Sequence, residues 1–131
     1  MASSTSASHP LLLTAAAAHG LLALGHTAKG LEQFKHPSLS TLPLTLRGAV
    51  KAGWYEGSGF FLIMGVLNYK WSQTGIFDVY DKGIAGILVS LLAAASASYY
   101  RSGDRSTAIM LATVAIIQGL GVKNGSYSRL V

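Results

Sequence analysis

The chain has 131 residues and a formal charge of +5; half of its residues are hydrophobic and only 11% are charged. That length suits one domain, and a small soluble domain, with its high surface-to-volume ratio and usual charged fraction of about 25%, has no means of hiding so much apolar surface. The basic residues flank or separate apolar runs and form no basic cluster with interleaved aromatics, which points to headgroup anchoring rather than nucleic acid, and the lack of cysteine removes disulfides, thiolate metal sites and a cysteine nucleophile.

The expected architecture is all-α, an integral membrane bundle of four transmembrane helices over residues 10–122, between a mobile tail (1–9) and a polar C-terminal tail (123–131). A cleaved secretory leader is the competing reading of the first 25 residues, but it calls for a basic n-region that this segment lacks. The first span covers about 10–30, with Pro10 placed where a missing N–H costs nothing. A polar connection, 31–43, follows. The second span, 44–69, passes from Arg47 and Lys51 through Trp54, Tyr55, Glu56 and the small patch Gly57-Ser58-Gly59 to an apolar run. The third, 82–100, has Asp81 as its expected N-cap, and the fourth, 105–122, has Asp104. Cations on the connections outnumber those on the terminal side by a residue or so, which favours cytosolic connections and lumenal termini.

Within such a bundle Glu56 is the most informative residue, because an ionised carboxylate inside a span is expensive. Three of the residues one turn away from it, Ala52, Gly53 and Gly59, are small, and that face suits close approach of another helix. Desolvation there would raise its pKa toward the range of a general acid or base. His19 and His26 are seven residues apart on one face of the first span, about 10 Å along its axis, too far to share a metal ion. No metal-ligand spacing is present, and no metal is expected. The expected catalytic pair is Glu56 with His26. The expected substrate-binding set is Arg47, Tyr55, Trp54, His19 and Asp78; interfacial snorkelling of Arg47 and Lys51 and solvation of Asp78 are the structural alternatives. Gln118 reads as an interhelical hydrogen-bond partner. GWYEGSGFF has neither the ending of a P-loop nor the strand-turn-helix setting of a dinucleotide site.

Trp54-Tyr55-Glu56-Gly57-Ser58-Gly59 and the apolar run to Gly65 resemble the second helix of DoxX-like small membrane proteins, and the size and four-span layout extend that resemblance over the whole chain. In size, helix count and style of polar residues the chain also resembles the small multi-pass enzymes of fungal polyketide and terpenoid pathways, some assigned as epoxide hydrolases or cyclases. That resemblance implies a membrane enzyme of secondary-metabolite biosynthesis.

The resulting expectation is a membrane-embedded enzyme that performs acid–base chemistry on a lipophilic small molecule, by epoxide hydrolysis or cyclisation and without a cofactor. Its expected partners are the bilayer, the substrate, and further copies of itself or other pathway membrane proteins; its expected location is a membrane, with the endoplasmic reticulum as the candidate organelle. A non-catalytic subunit or scaffold and a small transporter are the alternatives.

Overall fold

The computed structural model describes residues 8–76 and 78–127. Residues 1–7 of the N-terminal tail, and Arg129 with its neighbours 128–131, lie outside the described residues. Five helices follow in order: α1 (Pro10–Gln33), α2 (Pro37–Ser40), α3 (Leu44–Thr74), α4 (Val79–Arg101) and α5 (Arg105–Tyr127). No strand occurs among the described residues.

Local chemistry sets the ends. Pro10 opens α1 and Pro37 opens α2. Gly75 stops α3 with φ 76°, and Gly103 makes the turn into α5 with φ 89°, conformations that favour glycine. Asp78, not Asp81, is the N-cap of α4: its carboxylate accepts the Asp81 N–H at 2.7 Å. The helix begins three residues earlier than the hydrophobic pattern suggests, so Asp81 falls in the first turn, where a negative charge also suits the helix dipole. Asp104 caps α5 through the Thr107 N–H at 3.1 Å. α5 runs on through Tyr127, into the stretch read as a polar tail, because Gly121 and Gly125 let it lie directly on Leu12 of α1.

The helices alternate in direction. His9 N–H donates to Ser72 O at 3.0 Å and His26 meets Ser58, so α1 and α3 are antiparallel. Leu12 against Gly121 and Lys29 against Thr107 make α1 and α5 antiparallel too. Leu22, Met64, Leu88, Leu92, Leu111 and Val114 fill the centre and join all four long helices. A second cluster of Leu12, Trp71, Ile76 and Ala85 closes the end nearest the α3–α4 connection.

Three helices are long and apolar enough to cross a membrane: Pro10–Gln33, Val79–Arg101 and the Arg105–Ser126 part of α5. α3, the remaining expected span, is not among them. Arg47, Lys51, Glu56 and Lys70 punctuate it, and its longest uncharged stretch, 57–69, has 13 residues. At about 1.5 Å per residue that is roughly 20 Å, short of a hydrocarbon core of about 30 Å. Large aliphatic side chains face outward from all four long helices, including Leu24, Ile63, Ile87 and Ile116, as expected where lipid is the solvent.

A polar bridge crosses the apolar interior. The Gln118 amide donates to Asn68 Oδ1 at 2.8 Å, and Asn68 Nδ2 donates to Met64 O at 2.9 Å; both side chains are fully buried. Gln118→Leu is expected to lower stability by about 0.6–2 kcal/mol, because Asn68 Oδ1 loses its donor. The double variant Asn68→Leu/Gln118→Leu is expected to recover part of that loss. Unfolding by SDS titration in mixed micelles measures both.

Candidate functional site: a cavity shared by four helices

α1, α3, α4 and α5 together line a half-open cavity of about 210 Å³, at the end of the bundle carrying the α4–α5 turn, with the exposed Gly25 and Met110 at its rim. Leu22, Phe60, Phe61, Met110 and Leu111 make an apolar floor, and His26, Lys29, Tyr99 and Thr107 bring polar atoms to its walls. The larger groove between α4 and α5, about 520 Å³, is shallower, half of its lining residues are alanines, and Arg101 is its single charged residue. The chemistry therefore concentrates in the smaller space.

His26 is fixed on several sides. Its ring stacks on Trp54 at 4.8 Å between centroids and meets the edge of Phe61 at 5.5 Å. Trp54 Nε1 donates to the His26 carbonyl at 2.6 Å, tying the indole to the α1 backbone. Gly57 supplies the room: a Cβ there would stand 2.8 Å from His26 Cε1. Gly30 does the same for Trp54, whose Cδ1 would lie 2.3 Å from an added Cβ.

A hydrogen count assigns the tautomer of His26. Thr27 Oγ1 lies 2.8 Å from Ala23 O and 2.9 Å from Ser58 Oγ, and Ser58 Oγ lies 3.1 Å from His26 Nδ1 and 3.3 Å from Trp54 O. The two hydroxyls bring only two hydrogens to these four contacts. A proton on Nδ1 supplies a third; a proton on Nε2 supplies none. The network therefore favours Nδ1–H, which leaves Nε2 with its lone pair. Nε2 makes no hydrogen bond among the described residues, and His26 lines the cavity. Ser58 is buried in the α1–α3 seam and orients the ring.

Lys29 stands one turn from His26 on the same face of α1. Its ammonium pairs with the Asp104 carboxylate, donates to Thr107 Oγ1 at 2.7 Å, and lies 5.4 Å from the Tyr99 ring centroid. Lys29, together with Thr107 and Ser106, holds the Asp104 carboxyl well below the usual carboxylate range. A depressed pKa means stabilisation that is complete above the ordinary value of 3.8 and is lost as pH falls beneath it. The difference in melting temperature between wild type and Asp104→Asn is expected to hold steady from neutral pH down to that value and then to close. A thermal melt series across acid pH measures it.

The remaining expected site residues are dispersed. Glu56 is exposed on α3, does not line the cavity, and makes no hydrogen bond among the described residues. Its expected partner His26 instead bonds Ser58. The small-residue face beside Glu56 is not a contact: Gly53 and Gly59 have open space where a Cβ would stand, and Gly57 and Gly65 are the close approaches. Trp54 is in place as the stacking partner of His26. Tyr55 is exposed and packs edge-on against Phe34 at 5.6 Å. Arg47 lies beyond the bundle end in an open pocket with Phe34, Leu39 and Lys51, and donates to Ser40 O at 3.4 Å. His19 is fully buried away from the cavity, its Nδ1 2.8 Å from Ala15 O. Asp78 caps α4 at the opposite end.

Sequence reasoning missed Lys29, Tyr99, Thr107 and Ser58. Only Lys29 left a readable signal, its i, i+3 spacing from His26, which places both on one helical face. No family model, curated protein or solved structure matches the chain.

Proposed function

We propose that this protein is a membrane-embedded enzyme that acts on a lipophilic small molecule by proton transfer, with epoxide opening or cyclisation as the reaction. The observation that carries this reading is the juxtaposition, in one largely apolar, half-open cavity, of an imidazole lone pair and an ammonium donor one helical turn apart. His26 Nε2 removes a proton from water or from a substrate hydroxyl. The oxygen so activated attacks carbon, and the oxygen that leaves carbon develops negative charge beside the Lys29 ammonium, which donates a hydrogen bond to it. The proton held on His26 then returns to that oxygen. Ser58, Thr27 and Trp54 hold the imidazole in its tautomer and orientation. Substrate reaches the cavity from the bilayer.

On this reading α3 is the fourth span. Its part paired with α1 runs from Trp54 to Ser72, as long as the section of α1 it covers. Glu56 then sits within one turn of the interface, where an exposed carboxylate is tolerable. By sequence, the connections on the cavity side carry Lys29, Lys35, Arg47, Lys51, Arg101 and Arg105, against Lys70, Lys82, Lys123 and Arg129 on the terminal side. The positive-inside rule therefore favours a cytosolic cavity end, and the endoplasmic reticulum is the candidate organelle.

The test compares metabolites of cells carrying the intact gene, a deletion, and His26→Gln, with protein abundance measured alongside. Accumulation of one common precursor in deletion and variant supports the enzyme; a variant indistinguishable from wild type sinks it. The alanine-lined groove on the outer face of α4 and α5 favours a second reading, a non-catalytic subunit that docks another helix there. That reading expects His26→Gln to be silent.

A further inference from the structure

We infer that the cavity selects an uncharged guest bearing an oxygen acceptor, such as a carbonyl or epoxide on a ring of naphthalene size, and rejects the corresponding carboxylate. This rests on the cavity being the substrate site, and it concerns charge rather than reaction.

The lining holds one cation, Lys29, and Asp104 already neutralises it. Of its three N–H groups, the ammonium gives one to Asp104 and one to Thr107, leaving one for a guest. His26, protonated on Nδ1 alone, is neutral and offers only a lone pair. The site thus presents the free Lys29 N–H and the Tyr99 hydroxyl as donors, the His26 lone pair as an acceptor, and no net charge. A ketone or epoxide oxygen satisfies the free Lys29 N–H. A carboxylate would give up its hydration to enter an apolar space whose cation is already paired, and its negative charge would meet Asp104 and the His26 lone pair. The floor of Phe60, Phe61, Met110 and Leu111 suits the flat apolar body of either molecule, so discrimination falls on the polar group.

Two isosteric probes test this: 2-acetylnaphthalene and 2-naphthoate, titrated at neutral pH into the full-length protein in nanodiscs. The chain has two tryptophans, so a Trp71→Phe background leaves Trp54, stacked on His26, as the reporter. Quenching of Trp54 by energy transfer to the naphthyl group gives the affinity. Each probe is compared across variants, so its partition into lipid cancels.

The ketone is expected to quench saturably, and naphthoate to bind at least about tenfold more weakly. Asp104→Asn should reverse the order, because it leaves Lys29 an unpaired cation; asparagine still caps α5, so the fold is retained. Lys29→Met/Asp104→Asn, with neither charge, should exclude naphthoate again. Gly25→Leu should abolish saturable binding of both probes, since its side chain grows into the cavity from a position with open space around it.

Preferential binding of naphthoate to the Asp104 protein, or an order unchanged by Asp104→Asn, overturns the charge inference and leaves the cavity as a ligand site. Quenching by both probes that never saturates and is indifferent to Gly25→Leu overturns the cavity reading itself, and the inference with it.

Discussion

His26→Gln is expected to keep the protein folded and abundant while lowering turnover by about 10²–10⁴-fold, the usual worth of a positioned general base. Glutamine fills similar space and can still bond Ser58, so the α1–α3 seam survives. What it lacks is a lone pair able to take and return a proton. Product flux per molecule of protein, measured in cells with the rest of the pathway intact, reads the effect. Ser58→Ala is expected to fall less far, because it removes the partner that favours Nδ1–H and leaves the ring stacked on Trp54. Glu56→Gln should retain most of the turnover, since that carboxylate is exposed and faces neither His26 nor the cavity. Abolished turnover in Glu56→Gln at normal abundance would return the base to the carboxylate and sink the His26 mechanism.

Gly57→Val is expected to lower stability by about 1–3 kcal/mol, the common cost of forcing extra atoms into a packed seam, and to abolish turnover at the same time. The added side chain begins 2.8 Å from His26 Cε1, and the ring has little room to retreat, with Trp54 stacked on it and Phe61 at its edge. Gly53→Ala is the control. It lies one turn earlier on α3, its Cβ would meet nothing within 4 Å, and alanine in a helix interior is favoured over glycine by up to about 1 kcal/mol. SDS unfolding of both variants, with flux measured in parallel, separates a packing glycine from one that is merely present. Equal behaviour of the two would mean that α3 presents a different face to α1.

That choice of face is where legibility in the sequence gave out. The bundle's helices were readable, because 10–30, 82–100 and 105–122 are apolar runs with plain start signals at Pro10 and Asp104. The rotation of α3 was not. Trp54, Ser58, Phe61, Gly65, Asn68 and Ser72 recur at three- and four-residue spacing and form the inward face, but Glu56, Gly53 and Gly59 offer another small-residue pattern at similar spacing. Two positions along a helix turn a residue about 200° around its axis, so reading the wrong glycines exchanged Ser58 for Glu56 as the partner of His26. Three helices show in the structure as apolar enough to span; α3 was read as equivalent because its apolar run, 60–67, drew attention from the charges on both sides. The Asp78 cap was ambiguous for a related reason, since two aspartates three residues apart can each cap a helix, and only the position of Val79 in the first turn decides. Lys29 and Asp104, 75 positions apart, share no local pattern at all.

That separation bears on how the protein is made. Chain synthesis delivers α1, with Lys29 near its end, long before the α4–α5 hairpin carries Asp104 out of the ribosome. Throughout that interval Lys29 is a lone cation at the membrane surface, free to hold on to lipid phosphates, and the cavity lacks two of its four walls. A chain stalled or truncated before Asp104 would carry two of the helices apolar enough to cross a bilayer, α1 and α4, yet would have neither the neutralised ammonium nor the α5 residues that line the space beside His26. Completion of the last hairpin is thus the event that pairs Lys29 and completes the lining of the cavity.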